Sequence, residues 1–265
     1  MTNLAIFGVT GRMGRAVLHV LPEVSAMRLT GALASPGNAA VGRDVGELIG
    51  GEASGVRISA DRDQVLAGAK VAIDFTLANA VIENLRACER HRCALVVGTT
   101  GLGDDARAAL KAAAARLPVL VAPNMSLGVA VLDKLAALAA RALGHEFDAE
   151  IVDLHHRDKA DAPSGTALRL GETIAAARGL EFSKAAILSR EGSVGPRERG
   201  KIGFASVRAG DDVGEHTVLF SGPGETLSLT HRATDRRIFA RGALRAAQWL
   251  SAQPAGLYSL HDFVA

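Results

Sequence analysis

The chain has 265 residues, of which 48% are hydrophobic and 22% charged, with a formal net charge of +2. That length suits one or two domains with a real core, and the balance is that of a folded chain rather than a disordered one. A near-neutral charge without a basic stripe argues against a nucleic-acid binder. The two cysteines, Cys88 and Cys93, do not form a CxxC pair, and no Cys/His cluster completes a zinc set. They read as reduced, partly buried thiols. Met1–Gly8 lacks a basic lead-in and its apolar run is too short for a signal peptide. No stretch approaches the ~20 uninterrupted apolar residues of a membrane span. The alanine-rich run Val129–Leu143 carries Asp133, Lys134 and Arg141, so it reads as a helix in water. A cytoplasmic location with no membrane partner is the expectation.

In chain order, Leu4–Gly8, Met27–Leu33, Val71–Phe75, Ala94–Gly98 and Val119–Ala122 are short apolar runs of the kind that parallel strands buried on both faces produce. Arg12–Leu21, Asp63–Ala67, Ala78–Arg90 and Asp104–Arg116 lie between them with the spacing of crossover helices. Repetition of such units predicts a Rossmann-like, doubly wound parallel α/β sheet. After Met125 the pattern changes. A helix at Val129–Leu143 precedes a strand at Asp148–Leu154 and a second helix at Ser164–Arg178. Lys201–Arg208, His216–Ser221 and Thr226–His231 follow as extended segments separated by Gly- and Asp-rich turns, which predicts a mixed or antiparallel sheet. Arg237–Leu250 reads as an amphipathic helix. The division expected is a dinucleotide-binding domain of residues 1–126 plus 236–265 and a second, α+β domain of residues 127–235. The open face and edges of the second sheet need cover, and self-association is one way to supply it. Gly195–Gly200 has no apolar anchor and reads as the most mobile loop.

Gly8, Val9, Thr10, Gly11, Arg12, Met13 and Gly14 follow a strand and open a helix. Helix-terminal amides and the positive dipole end suit a pyrophosphate, and glycines permit the tight turn and the close approach. The spacing GxxGxxG is weak alone and stronger in this strand–loop–helix context. A packing turn is the alternative. An acidic residue normally ends the second strand of an NAD-selective site, to bind the ribose hydroxyls. Here Ala34 and Ser35 stand there instead. Ser35 does not repel a 2′-phosphate and Arg12 is a candidate to pair with one, which favours NADPH. Gly98, Thr99, Thr100 and Gly101 end one strand, and Ala122, Pro123, Asn124 and Met125 end another. Ligands of open α/β sheets sit beyond such carboxyl ends.

The chemically densest stretch is Asp153–Thr166, with His155, His156, Lys159, Asp161, Pro163, Ser164, Gly165 and Thr166 running from a strand end through a charged loop into a helix. Ser164 is a good helix cap, and the Gly165 and Thr166 amides with the threonine hydroxyl make a compact carboxylate site. Two histidines and a lysine just upstream supply proton donors and positive charge. A solvated loop beside a capped helix is the plainer alternative. A metal site is disfavoured, since adjacent histidines on a strand point to opposite faces and no HExxH spacing is present.

These residues resemble the dihydrodipicolinate reductase family over nearly the whole chain. Gly8–Gly14 with Arg15 is similar to its GxxGRMGR loop, Asp74–Thr76 to its DFT strand end, Gly98–Gly101 to its GTTG turn and Ala122–Ser126 to its APNxS turn. His155–Ala167 resembles its HHxxKxDAPSGTA signature, the most specific of the set. Arg208–Gly210 with Gly214–His216 resembles its RxGxxxGEH strand pair, and Arg237–Ala243 and Gly256–Tyr258 its C-terminal segment. The resemblance implies NAD(P)H-dependent reduction of (hydroxy-)dihydrodipicolinate, a small cyclic imine with two carboxylates, to tetrahydrodipicolinate in lysine and diaminopimelate biosynthesis. It implies His155 and Lys159 as the catalytic pair, and His156, Gly165 and Thr166 as substrate ligands. Gly8–Met13, Gly98–Thr100 and Ala122–Met125 would line the cofactor, no metal is needed, and the assembly would be a homotetramer. The family's acidic cofactor-selecting position falls at Ala34, which leaves the choice between NADPH and NADH open. Two rivals are a different dehydrogenase on the same plan and a non-enzymatic dinucleotide sensor. The segment His155–Thr166 disfavours the first, and the second leaves the His/Lys cluster unexplained. His19, His91, His145 and His261 read as surface or packing residues.

Overall fold

The computed structural model describes residues 1–264. In chain order the elements are β1 (Thr2–Phe7), α1 (Arg12–Val20), β2 (Met27–Leu33), α2 (Val45–Leu48), β3 (Ile58–Ser59), α3 (Arg62–Leu66), β4 (Val71–Asp74), α4 (Val81–His91), β5 (Ala94–Val97), α5 (Asp104–Ala113) and β6 (Pro118–Val121). Then come α6 (Leu127–Leu143), β7 (Asp148–His155), α7 (Gly165–Ala177), α8 (Phe182–Ala185), β8 (Ala186–Ile187), β9 (Ile202–Arg208), β10 (Gly214–Gly222), β11 (Glu225–Ala233), α9 (Arg237–Leu250), β12 (Gly256–Tyr258) and α10 (Leu260–Phe263). The chain forms two compact units, residues 1–127 with 237–265, and residues 128–236.

The first unit is built on a seven-stranded parallel sheet in the order β12-β6-β5-β4-β1-β2-β3. Its central strands are apolar throughout because both faces are covered. Ala5, Phe7, Ala72, Leu95 and Val97 point to the face that holds Val65 and Leu66 of α3, Leu85 of α4 and Leu110 of α5. Their sequence neighbours Leu4, Ile6, Ile73 and Val96 are equally buried on the other face, where α9 lies over β4 and β5 beside α1. The doubly wound sheet expected from the alternating runs is thus present. Cys88 and Cys93 are fully buried rather than partly so.

The second unit carries a five-stranded mixed sheet, β11-β10-β7-β9-β8. β9 runs parallel to β7 and β10 antiparallel to it. β7 alternates strictly between half-buried and buried positions, so Ala149, Ile151, Asp153 and His155 share one face. On that face Ala149 and Ile151, with Ile202 and Phe204 of β9 and Val218 and Phe220 of β10, pack under Leu132 and Ala136 of α6 and Leu170 and Ile174 of α7. β11 is exposed along most of its length.

Three strands fall below what a sequence pattern reveals. β3, β8 and β12 have two or three residues each, too few for a period to be read, and each adds to a sheet edge by pairing with a longer neighbour. The loop Gly195–Gly200, which has no apolar anchor, carries Arg197, whose guanidinium binds Asp148 at 2.6 Å and Glu150 at 2.8 Å. Its anchor is ionic, which an inspection for apolar residues misses.

Candidate active site

The glycine loop after β1 forms a backbone cradle. Gly8 holds φ at +76°, and a Cβ there would come 2.8 Å from the Phe75 carbonyl oxygen. A Cβ at Gly14 would fall 2.3 Å from the Gly8 carbonyl oxygen and 2.6 Å from the Val9 Cα, so α1 approaches the strand end as only glycine allows. Gly11 is the N-cap of α1 with no side-chain cap, and no acidic residue enters the first turn. The helix start therefore keeps its donors and dipole for an anion. Arg15 fixes the loop from outside, donating to the carbonyls of Thr10 (3.1 Å) and Leu48 (3.2 Å), while Arg12 is exposed. Ala34 is buried at the end of β2 and Ser35 is exposed beside it.

A buried carboxylate ties the next two strand ends together. Asp74 accepts from the Thr76 amide (2.8 Å) and hydroxyl (2.6 Å), from Asn84 (2.8 Å) and from the Thr99 hydroxyl (3.3 Å). Burial raises its pKa, and these four donors oppose that rise. Thr99 is thereby held back into the protein while Thr100 stays exposed. A Cβ at Gly98 would meet the Phe75 ring at 2.1 Å, so this turn is also a close approach. The turn at Ala122–Met125 is backed by α9, where a Cβ on Gly242 would strike the Met125 carbonyl oxygen at 1.8 Å. This unit therefore fits a dinucleotide by three independent features: an uncapped helix start, a glycine cradle that a Cβ would fill, and rigid polar turns at the carboxyl ends of its strands.

In the second unit the loop after β7 carries His156 and Lys159, and His155 ends the strand. His155 is 8% exposed. Burial and the Lys159 ammonium lower its pKa, Asp153 opposes and Arg208 lowers it further, so the ring is neutral near pH 7. His156 turns the opposite way to half-exposure, and its Nε2 lies 3.3 Å from the Arg236 guanidinium. Lys159 pairs with Asp161, 2.7 Å away. Ser164 is the N-cap of α7, and its hydroxyl accepts the Ala167 amide at 3.2 Å. A Cβ at Gly165 would meet nothing within 4 Å, so the first turn of α7 is open. The expected pair His155 and Lys159 and the expected ligands His156, Gly165 and Thr166 thus lie in one contiguous loop and helix start. Arg236 was not foreseen. It follows β11 by three residues and no local pattern marks it.

The register of the sheet adds residues that the sequence does not group. Asp153 pairs with Ser206 of β9 and with His216 of β10, so the two apolar rows of the covered face give way to a polar row. Asp153 is 1% exposed and His216 is 4% exposed. The His216 Nε2 lies 3.0 Å from the Ser164 hydroxyl, and its pKa is driven to about 4 by burial and by His155. Ligand-type atoms of Asp153, His155 and His216 lie within 4.8 Å of one another. The Asp153 carboxylate already serves Arg208, Ser206 and Ser164, and the cations Arg208 and Lys159 oppose a metal there.

A glycine cradle on a parallel sheet, with a His/Lys loop beside an open helix start in the other unit, defines a nicotinamide-dependent reductase. Comparison with known proteins narrows the class. Residues 2–125 match the family described as dihydrodipicolinate reductase, N-terminus, and residues 128–264 match dihydrodipicolinate reductase, C-terminus. The chain is 49% identical over 261 residues to the 4-hydroxy-tetrahydrodipicolinate reductase of Alkalilimnicola ehrlichii, covering 98% of each chain. It is 47% identical over 263 residues to that of Pseudomonas fluorescens, covering 99% of this chain and 98% of the other. The dipicolinate-bound dihydrodipicolinate reductase of Paenisporosarcina sp. TG-14 shares its fold with a TM-score of 0.78, at 26% identity over 99% of both chains. The chain belongs to the dihydrodipicolinate reductase family and is an NAD(P)H-dependent oxidoreductase.

Proposed function

We propose that this enzyme reduces the cyclic imine (hydroxy-)dihydrodipicolinate to tetrahydrodipicolinate, on the route to diaminopimelate and lysine. The observation that carries this reading is the second-unit loop, where His155, His156 and Lys159 stand next to the open first turn of a helix capped by Ser164. A ring with two carboxylates needs both an anion site and a proton donor, and this segment offers both.

When bound, NAD(P)H would supply the hydride that reduces the dehydrated, conjugated ring at C4. The remaining work falls to the chain. His156, the Gly165 amide and Thr166 hold the carboxylates, and Arg236 beside His156 adds charge of the right sign. This fixes the ring orientation. Lys159 donates the proton that the enamine needs as it tautomerises, and neutral His155 positions or shares that proton. Asp161, 2.7 Å from the Lys159 amine, helps to position that donor. In the first unit Gly8, Val9, Thr10, Gly11, Arg12 and Met13 would hold the pyrophosphate side of the dinucleotide. Ser35, Gly98–Thr100 and Ala122–Met125 line the rest. With Ala34 where an acid would select NADH, and Arg12 exposed at the start of α1, NADPH is the favoured cofactor. The protein works in the cytoplasm as a homotetramer, whose contacts cover the exposed β11 side of the second sheet.

The test is oxidation of NADPH and NADH by purified protein, with the unstable imine generated in situ by a coupled synthase. Expected are oxidation that depends on the synthase product, a kcat/KM ratio above one for NADPH over NADH, and a loss of roughly 10²-fold or more in kcat for Lys159→Ala. No oxidation with either cofactor, despite nucleotide binding, overturns the assignment. Static light scattering checks the tetramer.

A further inference from the structure

The geometry points to Asp153 as a positioning residue that locks His155, the cap of α7 and the Lys159 loop into one arrangement. This rests on the reading that His155 and Lys159 act on the substrate. Asp153 occupies the covered face of β7, one row beyond Ile151, where another apolar residue would continue the core. The chain places a carboxylate there and surrounds it with donors. The Ser206 hydroxyl donates to Oδ1 at 2.5 Å, and the Ser164 amide and the Arg208 guanidinium donate to Oδ2, each at 3.2 Å. The His155 Nδ1 lies 3.2 Å from the same Oδ2, close but off hydrogen-bond alignment. Apolar residues of similar volume are often as stable as a buried ion pair, so such a network points to a task other than stability.

Each partner of Asp153 leads to a functional element. Ser164 is the residue whose hydroxyl caps α7, so the carboxylate holds the helix start that presents Gly165 and Thr166. Arg208 also donates to the Asp161 carbonyl at 2.7 Å, which ties down the loop that carries Lys159. The His155 ring is confined on its other sides. A Cβ on Gly214 would come 2.7 Å from its Nε2, and the His216 ring stands edge-on with centroids 5.1 Å apart. The charged and titratable groups facing His155 are Asp153 on its own strand, Lys159 on the following loop, Arg208 on β9 and His216 on β10. Asp153 is the only anion among these four. It is held ionised, because burial raises its pKa and Ser206, Arg208 and Ser164 more than reverse the rise.

Asp153→Asn keeps the shape and removes the charge. It is expected to lower kcat about 10-fold or more, a part of what a general acid–base pair contributes. It should also move the His155 titration, followed by NMR of ¹³C-labelled histidine, to lower pH by about one unit, because an opposite charge at this range shifts a pKa by about that much or more. The acid limb of the kcat/KM profile moves with it, and the Kd for NADPH does not change. Asp153→Glu restores the charge at a displaced position, so the titration returns towards that of the wild type while kcat stays low. If Asp153→Asn does not fold, Ser206→Ala and Arg208→Gln loosen the same carboxylate and are measured in its place. A folded Asp153→Asn protein with wild-type kcat and an unmoved His155 titration overturns the proposal. The NMR titration needs no substrate, so it still decides the role of Asp153 if the wild-type enzyme fails to reduce the imine.

Discussion

Acid should weaken the second unit through His216. The ring is 4% exposed, its Nδ1 has no partner, and burial with the neighbouring His155 lowers its pKa from 6.5 to about 4. The folded state keeps the ring neutral, whereas the unfolded chain takes up a proton once the pH falls below the ordinary histidine value. Between those two values the unfolded state binds more protons, so stability falls as pH falls. Each pKa unit is worth about 1.36 kcal/mol, which makes the whole effect about 3 kcal/mol. Integrating the two titrations places about 2 kcal/mol of this between about pH 7 and about pH 5. The assay is urea unfolding followed by far-UV circular dichroism at both pH values, for the wild type and for His216→Gln, which keeps a donor near Ser164 and cannot titrate. The wild type should lose about 2 kcal/mol more than the variant. Equal losses refute the reasoning, as does an NMR titration of His216 near 6.5.

Thr166→Val removes the hydroxyl proposed to hold a substrate carboxylate and should raise the substrate KM about 10-fold or more with a smaller change in kcat, the scale of one hydrogen bond to a charged group. A pure kcat loss in steady-state assays places the carboxylates elsewhere. Gly14→Ala forces a methyl onto the Gly8 carbonyl and the Val9 Cα, and should lower stability by about 1–3 kcal/mol. An unchanged melting temperature contradicts the close approach. Ala34→Glu restores an acid at the end of β2 and should turn the NADPH/NADH ratio of kcat/KM towards NADH, read in the coupled assay. An unmoved ratio removes that position from cofactor choice.

Much of the first unit was legible because parallel strands covered on both faces leave unbroken apolar runs, and because its glycines lie at fixed offsets in one loop. The second unit was legible where its pattern is local. The stretch His155–Thr166 is contiguous, so its histidines, lysine, cap and open helix start could be read together. Arg236 could not, since it reaches His156 from 80 residues away. Nor could the anchor of Gly195–Gly200, since Arg197 finds Asp148 and Glu150 across almost fifty residues and by charge rather than by apolar burial.

The polar row of Ser206, Asp153 and His216 shows what kind of information was missing. Asp153 and His216 fall in separate stretches of the sequence and Ser206 in a third, and only the pairing of β9 and β10 with β7 sets them side by side. Side chains alternate with period two, so a slip of one residue in either strand would move Ser206 or His216 to the opposite face of the sheet. The apolar rows below prevent that slip, because Phe204 and Val218 must meet Ile151, and Ile202 and Phe220 must meet Ala149, for the core to close. The core that holds the second unit together therefore also delivers the polar row to the end of β7, within reach of His155 and of the cap of α7. Stability and chemistry in this unit are set by one register.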